Sequence, residues 1–292
     1  MSNALIISPV ELEATKSLPF VELVKREFAR VKYDAPQMTA LTIFLALMMV
    51  PTLGAMALDE RLHNGINIWI KPFKFDVALF MYVATLAVFA RWIPQYSRQK
   101  AWFKIFNWVV VIAILFEIIW IKSAAAAGTS SHFNIASPLM AAAYTFAGLA
   151  AVTLTCGSLV YGFLIYRNKD TGLSNAMHFA IWFGSISMTV MTIIVASYMS
   201  AQTGHLVGGN LFDTEAMPIM GWATDGGDLR VAHFFASHII HVLPLFVLYT
   251  SWVFKSENIR ATVGVAVLYS AFTFYTLWEA MNGLPFLGAV FG

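Results

Sequence analysis

The sequence predicts an all-α, polytopic membrane bundle of seven transmembrane helices. Hydrophobic residues fill 59% of the 292 positions and charged residues only 12%, about half the charged share of a soluble domain. Mean hydropathy is +0.70. Long apolar runs alternate with short charged ones, and seven of them reach the roughly 20 residues needed to cross a hydrocarbon core of ~30 Å.

The chain opens with a charged leader, residues 1–36, so no cleavable signal peptide is expected. Within it, Ser17 is placed to cap a helix and Pro19 suits its first turn. Phe20, Val24, Phe28 and Val31 recur at helical spacing opposite basic residues. That pattern predicts an amphipathic helix, either lying on anionic lipid or packed beneath the bundle. The spans follow at 37–58, 76–95, 104–122, 138–166, 176–200, 231–254 and 261–283, forming one transmembrane domain over 37–292.

The basic residues orient the bundle. With the N-terminus inside, the leader and the even-numbered connections hold most Lys and Arg. Only Arg61, Lys71, Lys74, Lys122 and Arg230 fall on the other side. The expectation is N-in and C-out in a bacterial-type plasma membrane, in contact with its lipids. A net charge of +2 with dispersed basic residues gives no nucleic-acid surface. The lone Cys156 allows no intrachain disulfide and reads as a packing residue.

Two outer connections stand out. In RLHNGINIWIKPFKFD (Arg61–Asp76), Asn64-Gly65 predicts a tight turn and Pro72 a break. Lys71 and Lys74 either snorkel to the interface or, with Arg61 and Arg230, meet an anionic headgroup or substrate. The longest connection, 201–230, is predicted to pack as an outer cap, because it carries Phe212 and Trp222. Asp228 at its end should cap the sixth span.

The polar groups inside the spans carry the functional expectation. Histidine and carboxylate are costly in lipid and mark functional sites. The sixth span carries His233, His238 and His241, the third Glu117, and the seventh Glu279 on a stripe with Ser270, Thr273, Thr276 and Asn282. All are expected in the outer third, with the two carboxylates as candidate catalytic groups. Glu117 also has Lys122 within reach at i,i+5.

Three chemistries fit. The first is a transition metal, Zn or non-haem Fe, held by His233, His238, His241 and Glu279 and acting on a lipid-soluble small molecule, by redox or hydrolytic chemistry. The second is haem b, with His241 and His178 as candidate axial ligands, or one histidine alone. The third is a proton or solute route without cofactor, lined in part by Ser185, Ser187, Thr189 and Thr192. Retinal is excluded, because residues 261–283 contain no lysine for a Schiff base.

Overall fold

Side-chain caps open the last four spans, while the first three begin without one. In this computed structural model residues 19–202, 204–209, 216–217 and 220–288 are described. Ser17 and Phe212, given roles above, lie outside that set, as do other parts of the 201–230 connection.

Helix α1 (Phe20–Asp34) is amphipathic and buries none of its residues. Phe20, 78% exposed, with Val21, Val24 and Phe28, turns away from the bundle. The adjoining face docks, through Glu27 to Arg91 at 3.4 Å, through an Asp34–Arg98 ion pair and through Val31, which packs on the core. The first span, α2 (Pro36–Leu58), opens on Pro36 and carries Pro51 inside it.

A two-residue hairpin follows, β1 (Leu62–His63) against β2 (Ile66–Asn67). Its turn residues Asn64 and Gly65 both have positive φ, 52° and 86°, as a type I′ turn demands. The second span, α3 (Ile70–Phe89), starts six residues before the expected boundary. Pro72 does not break it. The proline sits in the first turn, where the missing N–H has no helical partner to lose.

After a 3₁₀ turn at Ala90–Trp92 and the short α4 (Gln95–Gln99), the third span is α5 (Ala101–Ala126). The fourth is α6 (Pro138–Arg167), capped by Ser137, and the fifth is α7 (Asn175–Ser200), capped by Ser174. The sixth, α8 (Leu229–Phe254), is capped by Asp228, whose Oδ1 accepts from Arg230 N at 3.0 Å. The seventh, α9 (Ile259–Met281), is capped by Asn258. All seven are long and apolar enough to cross a membrane. The chain is a seven-span, multi-pass membrane bundle.

Two close approaches orient α8. A Cβ on Gly184 of α7 would lie 3.1 Å from Ile239 O and 3.3 Å from Ile240 Cα. Glycine thus lets α7 and α8 pack backbone to backbone, burying Ile239, Ile240, Leu243 and Val247. At the cap end, strands β3 (Leu206–Val207) and β4 (Gly227–Asp228) pair. Gly227 sits so close to α9 that a Cβ would fall 2.2 Å from Ala280 O. Trp222, 6% exposed, packs its ring against Phe234, Phe235 and Phe286. The described part of the long connection is therefore a packed cap.

Candidate functional site

The sequence-predicted residues separate into three groups. The first is a pair of imidazoles on α8. His238 Nδ1 lies 2.7 Å from Phe234 O, a carbonyl that can only accept. The network therefore assigns the proton to Nδ1, leaving His238 Nε2 as a bare lone pair. His241 Nε2 lies 3.0 Å from Thr85 Oγ1 on α3. That hydroxyl donates its own proton to Met81 O at 2.8 Å, so it accepts from His241. His241 Nδ1 is then the bare nitrogen, and it is buried without a partner. The two rings sit 5.5 Å apart, and His238 stacks on Phe234 at 4.0 Å. Each ring is fixed through one nitrogen, and the remaining nitrogen of His241 is buried among protein atoms.

The second group is a buried polar cluster nearer the cap. Lys71 does not snorkel outward. Its Nζ donates to His132 Nδ1 at 3.2 Å, and Ser131 Oγ approaches the same nitrogen at 3.0 Å. Burial, with the nearby Lys71 and His233, holds the His132 imidazole down at about 3, because a second positive charge there has neither water nor a counter-ion. Glu117 is 2% exposed and neither carboxylate oxygen has a hydrogen-bond partner. Lys71 lies within electrostatic reach of it but makes no direct ion pair. His233 sits between the groups, electrostatically close to both His132 and His238, with Nδ1 buried and unpartnered.

The third group lies at the rim. Glu279 is at the end of α9, roughly 3 Å from its terminus at 1.5 Å per residue. Its carboxylate accepts from Tyr275 Oη at 2.9 Å and from Leu287 N at 3.1 Å, ordering the turn after the helix. His238 and Glu117 lie deeper, each ~14 Å from the cap ends of their helices, and His241 ~18 Å. By the same measure His233 lies ~6 Å from its cap end, near the height of Glu279, while His238 and Glu117 share a deeper level and His241 lies below them. Among the described residues, no three His, Cys, Asp or Glu side chains converge as a metal-ligating group. The expected four-ligand set of His233, His238, His241 and Glu279 does not come together as one group among the described residues; within it, the His238 and His241 rings are 5.5 Å apart.

His178 stands apart from all of these. It lies in the first turn of α7, at the other end of the bundle from the cap, with Nε2 bonded to Ile165 O at 2.9 Å. It does not meet His241. Arg61 is engaged by Asp59 at 2.7 Å and by Ala126 O at 3.1 Å. Arg61 and the Trp69 indole hold the Asp59 carboxyl well below the usual carboxylate range. Arg230 grips Asp228 and Gly221 O, each at 2.7 Å, and Lys74 donates to Met220 O at 2.8 Å. Residues 62–67 form a hairpin, and Arg61, Arg230 and Lys74 are each engaged by their own neighbours.

Sequence reasoning missed a buried ion pair. Asp76 on α3, fully buried, accepts from Thr52 Oγ1 at 2.6 Å and pairs with Lys122 Nζ at 3.0 Å. Lys122 therefore serves Asp76 and not Glu117. The signal was available, since an acid inside an apolar helix is a marker in itself. The expected start of the second span at residue 76 concealed it, by placing Asp76 at the membrane boundary. Thr85 and His132 had no comparable signal, because their roles come from contacts with other elements.

Two cavities, of about 220 and 230 Å³, lie away from the histidines, one beside Asp34 and Arg98 and the other beside Thr224 and Leu287, next to the turn that Glu279 orders. The chain matches no protein-family model, no curated protein and no solved structure.

Proposed function

We propose that this bundle binds a transition-metal ion, Zn or non-haem Fe, between His238 and His241, and that the ion acts on a lipid-soluble substrate. The observation that carries the reading is the pair of bare imidazole nitrogens, each on a ring held by a hydrogen bond through its other nitrogen. Two protein ligands are one fewer than hold most catalytic zinc ions, so positions would remain for water or substrate. The activity is then that of a membrane oxidoreductase or hydrolase. Glu117, at the depth of His238 and free of partners, serves as the proton-handling carboxylate. The His233–His132–Lys71 cluster connects that level with the cap. The excess of basic residues at the α1 end makes it the cytoplasmic one, which puts the cap outside a bacterial-type plasma membrane.

Haem b on a single axial imidazole is the second reading. It is favoured by the apolar residues, Leu245 and Leu248, that follow His241 on its own face of α8. One experiment separates the two: elemental analysis and an absorption spectrum of the detergent-purified protein. The proposal expects stoichiometric Zn or Fe without a Soret band, lost in both His238→Ala and His241→Ala and kept in Glu279→Gln. A Soret band selects haem. Protein with neither metal nor haem after purification under metal-replete conditions overturns both.

A further inference from the structure

Helix α1 is too short and too charged to be a span, with 15 residues of which seven are ionisable acids or bases. Its apolar residues nevertheless form one stripe. At about 100° per residue, Phe20, Val21, Val24, Phe28 and Val31 fall within about 100° of one another. Lys25 and Lys32 follow within a further ~40° on one edge, and Glu27 and Asp34 lie within ~40° of the other. Glu22, Arg26 and Ala29 occupy the far side.

The acidic edge is the docked one, through Glu27 to Arg91 and Asp34 to Arg98, and Val31 inside the stripe packs on the core. Glu27 lies eight residues before the break at Ala35, ~12 Å along the helix. Helix α1 therefore lies along the end of the bundle for at least two turns. Before Glu27 the stripe runs on without cover, since Phe20, Val21 and Val24 are exposed, as is Phe28 beside the docked residues.

The neighbours of α1 place it at a membrane surface. Only Ala35 separates it from the first span. Arg98, which holds Asp34, stands between Tyr96 and Trp102, whose side chains are exposed at the same end of the bundle. Lys100 Nζ lies over the Tyr96 ring at 5.3 Å. Exposed Trp and Tyr among basic residues at the end of a span mark the headgroup layer.

We infer that α1 is an in-plane anchor whose apolar stripe beds into phospholipid where headgroups meet acyl chains. The stripe faces the way Val31 faces, toward the apolar layer, and beyond the edge of the bundle that layer is lipid. A helix of this pattern sinks its apolar face roughly 5–10 Å into the boundary. Lys25 and Lys32, on the free edge, extend to phosphate oxygens. Lys25 now holds Glu22 at 2.9 Å in an exposed pair, which contributes little and which a phosphate replaces. The ion pairs of Glu27 and Asp34 fix the rotation of α1, so the stripe is turned to the lipid by the protein itself.

The test uses the full chain in phosphatidylcholine nanodiscs, with Cys156→Ala and one nitroxide. The label sits at Val24→Cys or Phe28→Cys on the stripe, or at Glu22→Cys or Ala29→Cys on the far side. Power saturation compares relaxation by oxygen, which dissolves in lipid, with relaxation by a water-soluble nickel chelate. Labels at positions 24 and 28 are expected to respond to oxygen and lose the nickel effect, and labels at 22 and 29 to show the reverse. An equal nickel effect at all of these positions would overturn the inference, because α1 would then stand in water. So would spin–spin broadening at 24 or 28 that disappears on dilution with unlabelled chain, which would make the stripe a contact between copies. Wild-type chain gives the same reading without substitution, in discs doped with a phosphatidylcholine that carries a diazirine near its carbonyl. Carbene adducts are expected on Val21, Val24 and Phe28, and adducts confined to the spans would count against the anchor.

Discussion

His241 and Thr85 join the sixth and second spans through one hydrogen bond of 3.0 Å, and that bond decides which imidazole nitrogen is free. Thr85→Val removes the acceptor and frees the ring to rotate. The expected outcome is a fall of about 10- to 100-fold in metal affinity, the usual effect of losing an outer-shell partner, with helical content unchanged. Thr85→Ser should restore it. Metal competition titrations of the purified variants give the measurement, and a Thr85→Val protein with wild-type affinity would remove Thr85 from the site.

Asp76 and Lys122 form a buried pair between α3 and α5, with Thr52 of α2 as third member. Breaking such a pair strands a charge. Asp76→Ala is expected to cost about 3–5 kcal/mol, read from unfolding in detergent micelles. Asp76→Leu with Lys122→Met should recover most of the loss, since a well-packed apolar pair lacks the desolvation penalty. A cost below about 1 kcal/mol for Asp76→Ala is the signature of a solvated pair and would contradict the burial described here.

Glu117 makes no hydrogen bond with either oxygen, so its carboxyl carries a desolvation cost without compensation. Glu117→Met is therefore expected to match or exceed the wild type in unfolding midpoint while abolishing turnover. A midpoint loss worth more than about 1 kcal/mol, the figure for a lost hydrogen bond, would reveal a partner and a structural role.

His132 gives the bundle a pH dependence of known sign. Its folded pKa of about 3 lies below the unfolded value of 6.5, so the unfolded chain binds more protons between those limits. Its contribution is complete above about pH 6.5 and is lost progressively as pH falls toward 3. His132→Gln should flatten that part of the stability curve relative to wild type. Unfolding midpoints at several pH values across this window supply the check, and parallel curves for the two proteins would rule the effect out.

Much of the architecture was legible in the chain because its causes are local. The seven spans, the Asn64-Gly65 turn and the Asp228 cap follow from composition, turn chemistry and capping, which involve residues close in sequence. The errors arose where a boundary or a neighbour mattered. A start six residues too late put Asp76 at the membrane boundary. Adjacency in sequence offered Lys122 to Glu117, when the cation's actual partner is on another helix. Treating the outer third as one level joined Glu279, which lies near the height of His233, to His238 and His241, which lie deeper.

By itself, the sequence determined that seven apolar helices cross a membrane and that His238 and His241 share one stripe of the sixth. The tertiary structure alone decided what that stripe faces. Helical periodicity sets the angle between side chains on one helix but not the rotation of that helix against its neighbours. That rotation comes from close packing, in which Gly184 admits the backbone of Ile239 and Ile240 and turns the histidines toward α3. The free nitrogens of the imidazole pair likewise depend on a threonine 156 positions away, a contact that exists only after the helices have packed.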